Sequence, residues 1–134
     1  MQIASFDDLL HAARAQPDPQ RLLFVFAGAE LPEDATPEQR ERFAAGQGGA
    51  LVPLMCTDKR PDELVSFATL VDESQQFGHD WQIVFAAALP GTAQHPPSSE
   101  DAEAPLQRMV EDIKRGEHGG WIPFNRQGEP VQLG

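Results

Sequence analysis

Cys56, Thr57, Asp58 and Lys59 carry the most chemistry within reach of one another, ending an apolar run just before Pro61, a residue suited to the first turn of a helix. A thiol beside a helix N-terminus and a lysine ammonium has its thiolate form favoured, and a thiolate can act as a nucleophile or a redox sensor. The same placement fits a small buried hydrophobe that closes a strand, a frequent environment of free cysteines. Both readings stand at this level. Cys56 is the only cysteine, which excludes the Cys-x-x-Cys redox pair, an internal disulfide and any multi-cysteine zinc or iron–sulfur site. His11, His79, His95 and His118 fall in separate segments without paired ligand spacing, so neither a metal nor a cofactor is expected. Asp7 with Asp8, and Asp58 with Asp62, are neighbouring carboxylates. The first pair flanks a helix cap and the second leads into a helix, so neither is read as a general acid–base pair. Trp81 and Trp121 read as core residues rather than stacking platforms.

These residues must be positioned by the stretch 50–89, which reads strand, helix, strand. Residues 50–56 and 81–89 are nearly continuous apolar runs of the kind found in strands buried on both faces. Between them Pro61 opens a helix, Asp62 and Glu63 suit its positive end, Leu64, Phe67, Ala68 and Val71 form an apolar stripe, and Gly78 stops it.

Upstream, Ser5 and Asp8 resemble a capping box before a helix over residues 6–15, and residues 21–27 form another apolar run. Thr36, Pro37 and Gln39 start a short surface helix anchored by Phe43. Gly46, Gly48 and Gly49 leave that helix and enter a strand, whereas a phosphate loop follows a strand and opens a helix. A cap and turn is therefore expected there. Downstream, the proline-rich stretch 90–100 is expected to be a mobile loop, followed by a helix with Pro105 in its first turn and Leu106, Met109, Val110 and Ile113 on one stripe. A hairpin over 121–133 ends the chain.

The order of elements predicts a single α/β domain over residues 1–134, with a mixed, mainly parallel sheet flanked by helices and a thioredoxin-like topology preceded by an additional helix. In such a sheet ligands sit outside the C-terminal strand ends, which selects a rim of Glu30, Cys56, Thr57, Asp58, Lys59 and His95, with the 90–100 loop closing over it.

Acidic residues outnumber basic ones 21 to 10, for a formal charge of −11, which repels nucleic acid and anionic membrane surfaces. The longest apolar run, 83–89, is far shorter than the about 20 residues that span a bilayer. The acidic N-terminal residues lack the positive region of an export signal, so a cytoplasmic protein is expected.

Residues 21–27, Gly49 to Cys56 with Pro61, Asp62, Glu63 and Leu64, and the helix Pro105, Leu106, Gln107, Arg108, Met109, Val110 together resemble a family of small bacterial proteins. The resemblance spans most of the chain. That family has no established activity, and its members sometimes carry an automatic label of ribonucleotide reductase alpha subunit. Such reductases need several cysteines in a far larger catalytic chain, so the residues here do not support the label. The expectation is a non-enzymatic protein-binding or regulatory domain with a protein partner, a homodimer being compatible with it. The alternative is a thiol-dependent redox or nucleophilic activity at Cys56.

Overall fold

The computed structural model describes residues 5–30, 34–45, 50–64, 66–78, 81–91, 94–115, 117 and 121–131. Ser5 caps α1 (Phe6–Arg14) by accepting the Asp8 N–H at 3.3 Å, and Asp7 and Asp8 complement the positive end of its dipole. The sheet contains β1 (Gln20–Glu30), β2 (Ala50–Lys59), β3 (Ile83–Pro90) and β4 (Ile122–Phe124), in the order β2-β1-β3-β4. Helix α2 (Pro37–Ala44) joins β1 to β2, and α4 (Ser99–Lys114) joins β3 to β4. A 3₁₀ turn (Pro61–Glu63) and α3 (Phe67–Gln75) join β2 to β3.

Among the described residues all three strand pairings are antiparallel. This overturns the mainly parallel sheet expected from the sequence, and the thioredoxin-like topology with it. The segment 50–89 does run strand, helix, strand, and β2 and β3 point the same way because each is antiparallel to β1. They are not neighbours, since β1 lies between them. An uninterrupted apolar run reports burial on both faces, and helices on both sides of an antiparallel sheet produce the same pattern.

Alternate residues of β1 feed two cores. Leu22, Phe24 and Phe26 join Phe6 and Leu10 of α1, Leu64, Phe67 and Leu70, Trp81 and Val84, and Phe124. Leu23, Val25 and Ala27 join Phe85 and the α4 residues Ala102, Leu106, Met109 and Ile113. The molecule is thus layered, with α1 and α3 on one face of the sheet and α4 on the other. Val84 and Phe85, on a strand flanked by β1 and β4, are fully buried. Between Phe26 and Ala27 the pairing with β2 slips by one residue, leaving Leu54 as a bulge, and Leu54 and Met55 both pack against the α1/α3 core.

Several element boundaries differ from expectation, β1 and β2 running on to Glu30 and Lys59 rather than ending at Ala27 and Cys56. Pro61 opens only the 3₁₀ turn, and α3 starts at Phe67, whose N–H donates to Asp7 Oδ1 at 3.2 Å. Its buried face is Phe67, Leu70 and Ser74, leaving Ala68 exposed. Helix α4 starts six residues before Pro105, capped by Ser98 and Asp101 in a reciprocal box, so Pro105 lies inside the helix and cannot donate to the Asp101 carbonyl. The C-terminal hairpin is reduced to β4, a turn at Gly128 (φ +79°) and an isolated bridge from Phe124 to Pro130. The Gly46 to Gly49 cluster, His79 and His118 lie outside the described residues.

Trp81 is fully buried, and its indole N–H donates to Ser74 Oγ at 2.8 Å while the Ser74 hydroxyl donates to the Val71 carbonyl at 2.6 Å. Removing that hydroxyl strands a buried donor. Ser74→Ala is expected to cost about 1–3 kcal/mol in chemical denaturation. A cost under about 0.5 kcal/mol would show that the indole finds another acceptor.

Candidate functional site

The expected rim is divided by the antiparallel sheet. Glu30 pairs with Ala50, whereas Lys59 pairs with Leu22 at the other end of β1. Eight residues of strand place the two ends about 27 Å apart. His95 is exposed in the loop after β3, and its carbonyl passes 2.6 Å from where a Cβ on Gly91 would stand. Cys56, Thr57, Asp58 and Lys59 remain together on the edge strand, but the twofold alternation of a strand sends their side chains to opposite faces.

On the α4 face, Asp58 stands beside Arg21 at the start of β1. Arg21 Nε donates to Asp58 Oδ2 at 2.5 Å, Nη2 donates to Ser99 Oγ at 2.8 Å and Nη1 donates to the Pro97 carbonyl at 3.4 Å. The Ser99 hydroxyl donates in turn to Asp58 Oδ2 at 2.6 Å. The two charged side chains are only 13% and 17% exposed. Burial alone would raise the Asp58 pKa, but the Ser99 hydroxyl, the Arg21 guanidinium and the Lys59 charge outweigh it and hold the carboxyl below the usual range. This cluster is a clasp between strand ends, loop and helix. It pins Pro97, which is buried, and Gly91 N–H donates to the Pro19 carbonyl at 2.9 Å, so the stretch expected to be mobile is fastened at both ends.

Cys56 pairs with Val25 and is exposed at the sheet edge. Partial desolvation by its surroundings, and after it the negative charge of Asp58, pushes the thiol pKa up. The residues expected to activate it are engaged elsewhere: Lys59 Nζ lies 2.9 Å from Glu73 Oε2, and the nearby turn has three residues, too few for a useful dipole. At neutral pH the thiol is therefore expected to react with iodoacetamide more slowly than free cysteine, and faster in Asp58→Asn than in wild type. A wild-type rate above that of free cysteine would restore an activated thiolate.

On the α1/α3 face, a cleft of about 430 Å³ opens between α3 and β2. Phe26, Met55 and Thr57 form its sheet side, Leu70, Ser74 and Phe77 its helix side, and the Lys59–Glu73 ion pair spans it. Cys56 contributes to its margin. Phe77 is 65% exposed, the one large hydrophobic side chain left in solvent among the described residues.

The sequence reading missed Arg21, Ser99, Glu73 and Phe77. Arg21 could have been noticed as the lone charge opening an apolar run, and Phe77 as a residue that continues the Phe67, Leu70, Ser74 spacing beyond the end of α3. Glu73 and Ser99 had no signal, because their partners are far away in sequence. Among the described residues no group of three or more His, Cys, Asp or Glu side chains could hold a metal ion, and no helix is long and apolar enough to cross a membrane. Comparisons with protein-family models, with curated proteins and with solved structures find no match to this chain.

Proposed function

We propose that the protein is a non-enzymatic protein-binding domain that receives an extended segment of a partner as an additional strand on the outer edge of β2. The observation that carries this reading is a coincidence of position. Native sheets protect their edges with prolines and bulges. On β2 the proline and the bulge, Pro53 and Leu54, interrupt only the first half of the strand, while the charged side chains of the second half, Asp58 and Lys59, are drawn off the edge by Arg21 and Glu73. Residues 55–59 pair regularly with β1 on one side, and among the described residues no strand pairs with them on the other. It is this half that borders the cleft and Phe77. Main-chain groups supply affinity in such a mode, and a pocket for alternate side chains supplies specificity.

The polar groups nearby do not form a catalytic set. Asp58, Arg21 and Ser99 satisfy one another, and the Cys56 thiol is held protonated. A single exposed thiol suits a reducing compartment, and we place the protein in the cytoplasm on that ground.

Affinity capture from the source cell tests the reading, with wild-type protein beside Phe77→Asp and beside Glu38→Gln on α2 as control. Phe77 is exposed, so its substitution is expected to shift stability by less than about 0.5 kcal/mol. A partner held by wild type and control, but lost from Phe77→Asp, is the expected result. A partner retained equally by all three would place binding elsewhere.

A further inference from the structure

The reading above leaves open what kind of segment the edge takes, and the charges around it answer that. A strand added beyond β2 would have α3 beside one face and α4 beside the other, because the cleft lies between α3 and β2 while α4 packs across β2 and β1 on the opposite side. Helix α3 carries Asp72 and Glu73 and no basic residue, Glu73 being paired with Lys59 of β2. On α4, Lys114 and Arg115 take up Glu111 and Asp112 at the C-terminal end. Its first turns carry Glu100, Asp101 and Glu103, against Arg21 of β1, which is already paired with Asp58, and Arg108 further along the helix, and they stand at the Asp58 end of β2, since Ser99 bonds Asp58 directly. The regularly paired half of the edge is therefore flanked by acidic helix surface mainly on the α4 side. On the α3 side the cleft presents Met55 and Phe77, with Leu70 buried beneath them.

We infer that the occupant is an extended basic segment of a partner protein, about five residues long, in which apolar side chains alternate with lysine or arginine. The apolar residues enter the cleft between α3 and β2. The basic residues, one position along, point to the other face and meet the acidic first turns of α4. A second copy of this chain is the poorer occupant, because edge-to-edge pairing would bring two chains of charge −11 together. This inference rests on the edge reading, and its test separates the two.

Three capped hexapeptide probes serve: alternating lysine and valine, alternating threonine and valine, and alternating glutamate and valine. Each is titrated into the full chain at about 0.1 M salt, where charges within about 10 Å still interact, and amide hydrogen exchange of β2 is followed. The lysine–valine probe is expected to protect amides within residues 55–59 and to bind about tenfold more tightly than the threonine–valine probe, with the glutamate–valine probe weakest. The double variant Glu100→Gln with Glu103→Gln should remove most of the lysine advantage and leave the threonine–valine probe unchanged, while Phe77→Ser should weaken both.

Equal protection by the lysine and threonine probes would overturn the basic segment and leave the edge reading standing. Protection by no probe would overturn both. Binding of the lysine probe without protection of residues 55–59 would reduce it to surface charge attraction and overturn the inference. Protection that grows with protein concentration in the absence of peptide, together with a dimer in sedimentation, would assign the edge to a second copy and overturn it as well.

Discussion

Phe6→Ala is expected to destabilise the protein by about 3–5 kcal/mol, the range for removing a large aromatic side chain from a packed core. Phe6 is the first residue of α1 and is 1% exposed. Its ring lies 4.8 Å from that of Phe67 on α3, 5.6 Å from Phe24 on β1 and 5.4 Å edge-on to Phe124 on β4. One side chain thus joins four elements, and aromatic pairs add about 0.5–1.5 kcal/mol to what area burial alone provides. Its backbone N–H donates to the Gly128 carbonyl at 2.8 Å, a bond that alanine keeps, so the substitution isolates the ring. Phe67→Ala should cost a similar amount, about 3–5 kcal/mol. The double variant should cost less than the sum, because the two rings share a contact. Urea unfolding at constant m-value measures all three. A Phe6→Ala cost under about 1 kcal/mol would show that the ring does not hold these elements together.

The second large effect belongs to the clasp. Arg21→Met should cost about 2–3 kcal/mol, less than the 3–5 of a fully buried pair because both partners retain some solvent access. It leaves the Asp58 carboxylate with the Ser99 hydroxyl and the Lys59 charge, and frees the Pro97 carbonyl. Limited proteolysis should then cut Arg21→Met within residues 91–98 before any other site, whereas wild type is not cut there first. The pH dependence follows from the direction of the Asp58 shift. Its folded pKa lies below the unfolded value of about 3.9, so its contribution is complete above that value and is lost as pH falls through the folded one. Asp58→Asn should therefore be less stable than wild type at pH 7 and approach it in strong acid. Parallel stability curves across that range would show that Asp58 is not held ionised by its neighbours.

What could be read from the sequence was what depends on near neighbours. Ser5 and Thr36 announced their helices through caps satisfied three residues on, and Val84 and Phe85 announced burial through an apolar run. Strand direction could not be read, because it depends on which strand lies alongside, and the run 50–56 has the same composition whether its neighbour is parallel or antiparallel. The misplacement of Glu30 in the rim followed from that one error. The separation of Asp58 from Lys59 was legible in principle, since adjacent strand residues always face opposite ways. The early start of α4 was hidden by Pro105, which usually marks a first turn but here lies within the helix.

The placement of Pro53 and the Leu54 bulge also bears on whether these molecules can polymerise. An open-ended filament needs a donor edge on one side of the subunit and an acceptor edge on the other, repeated without closure. On the far side, β4 is three residues long, contains Pro123, and is bridged by Pro130. That side offers little backbone to donate, while β2 can accept only along its second half. Growth by strand addition would therefore stop after a single event, so the two edges do not support a continuous fibre.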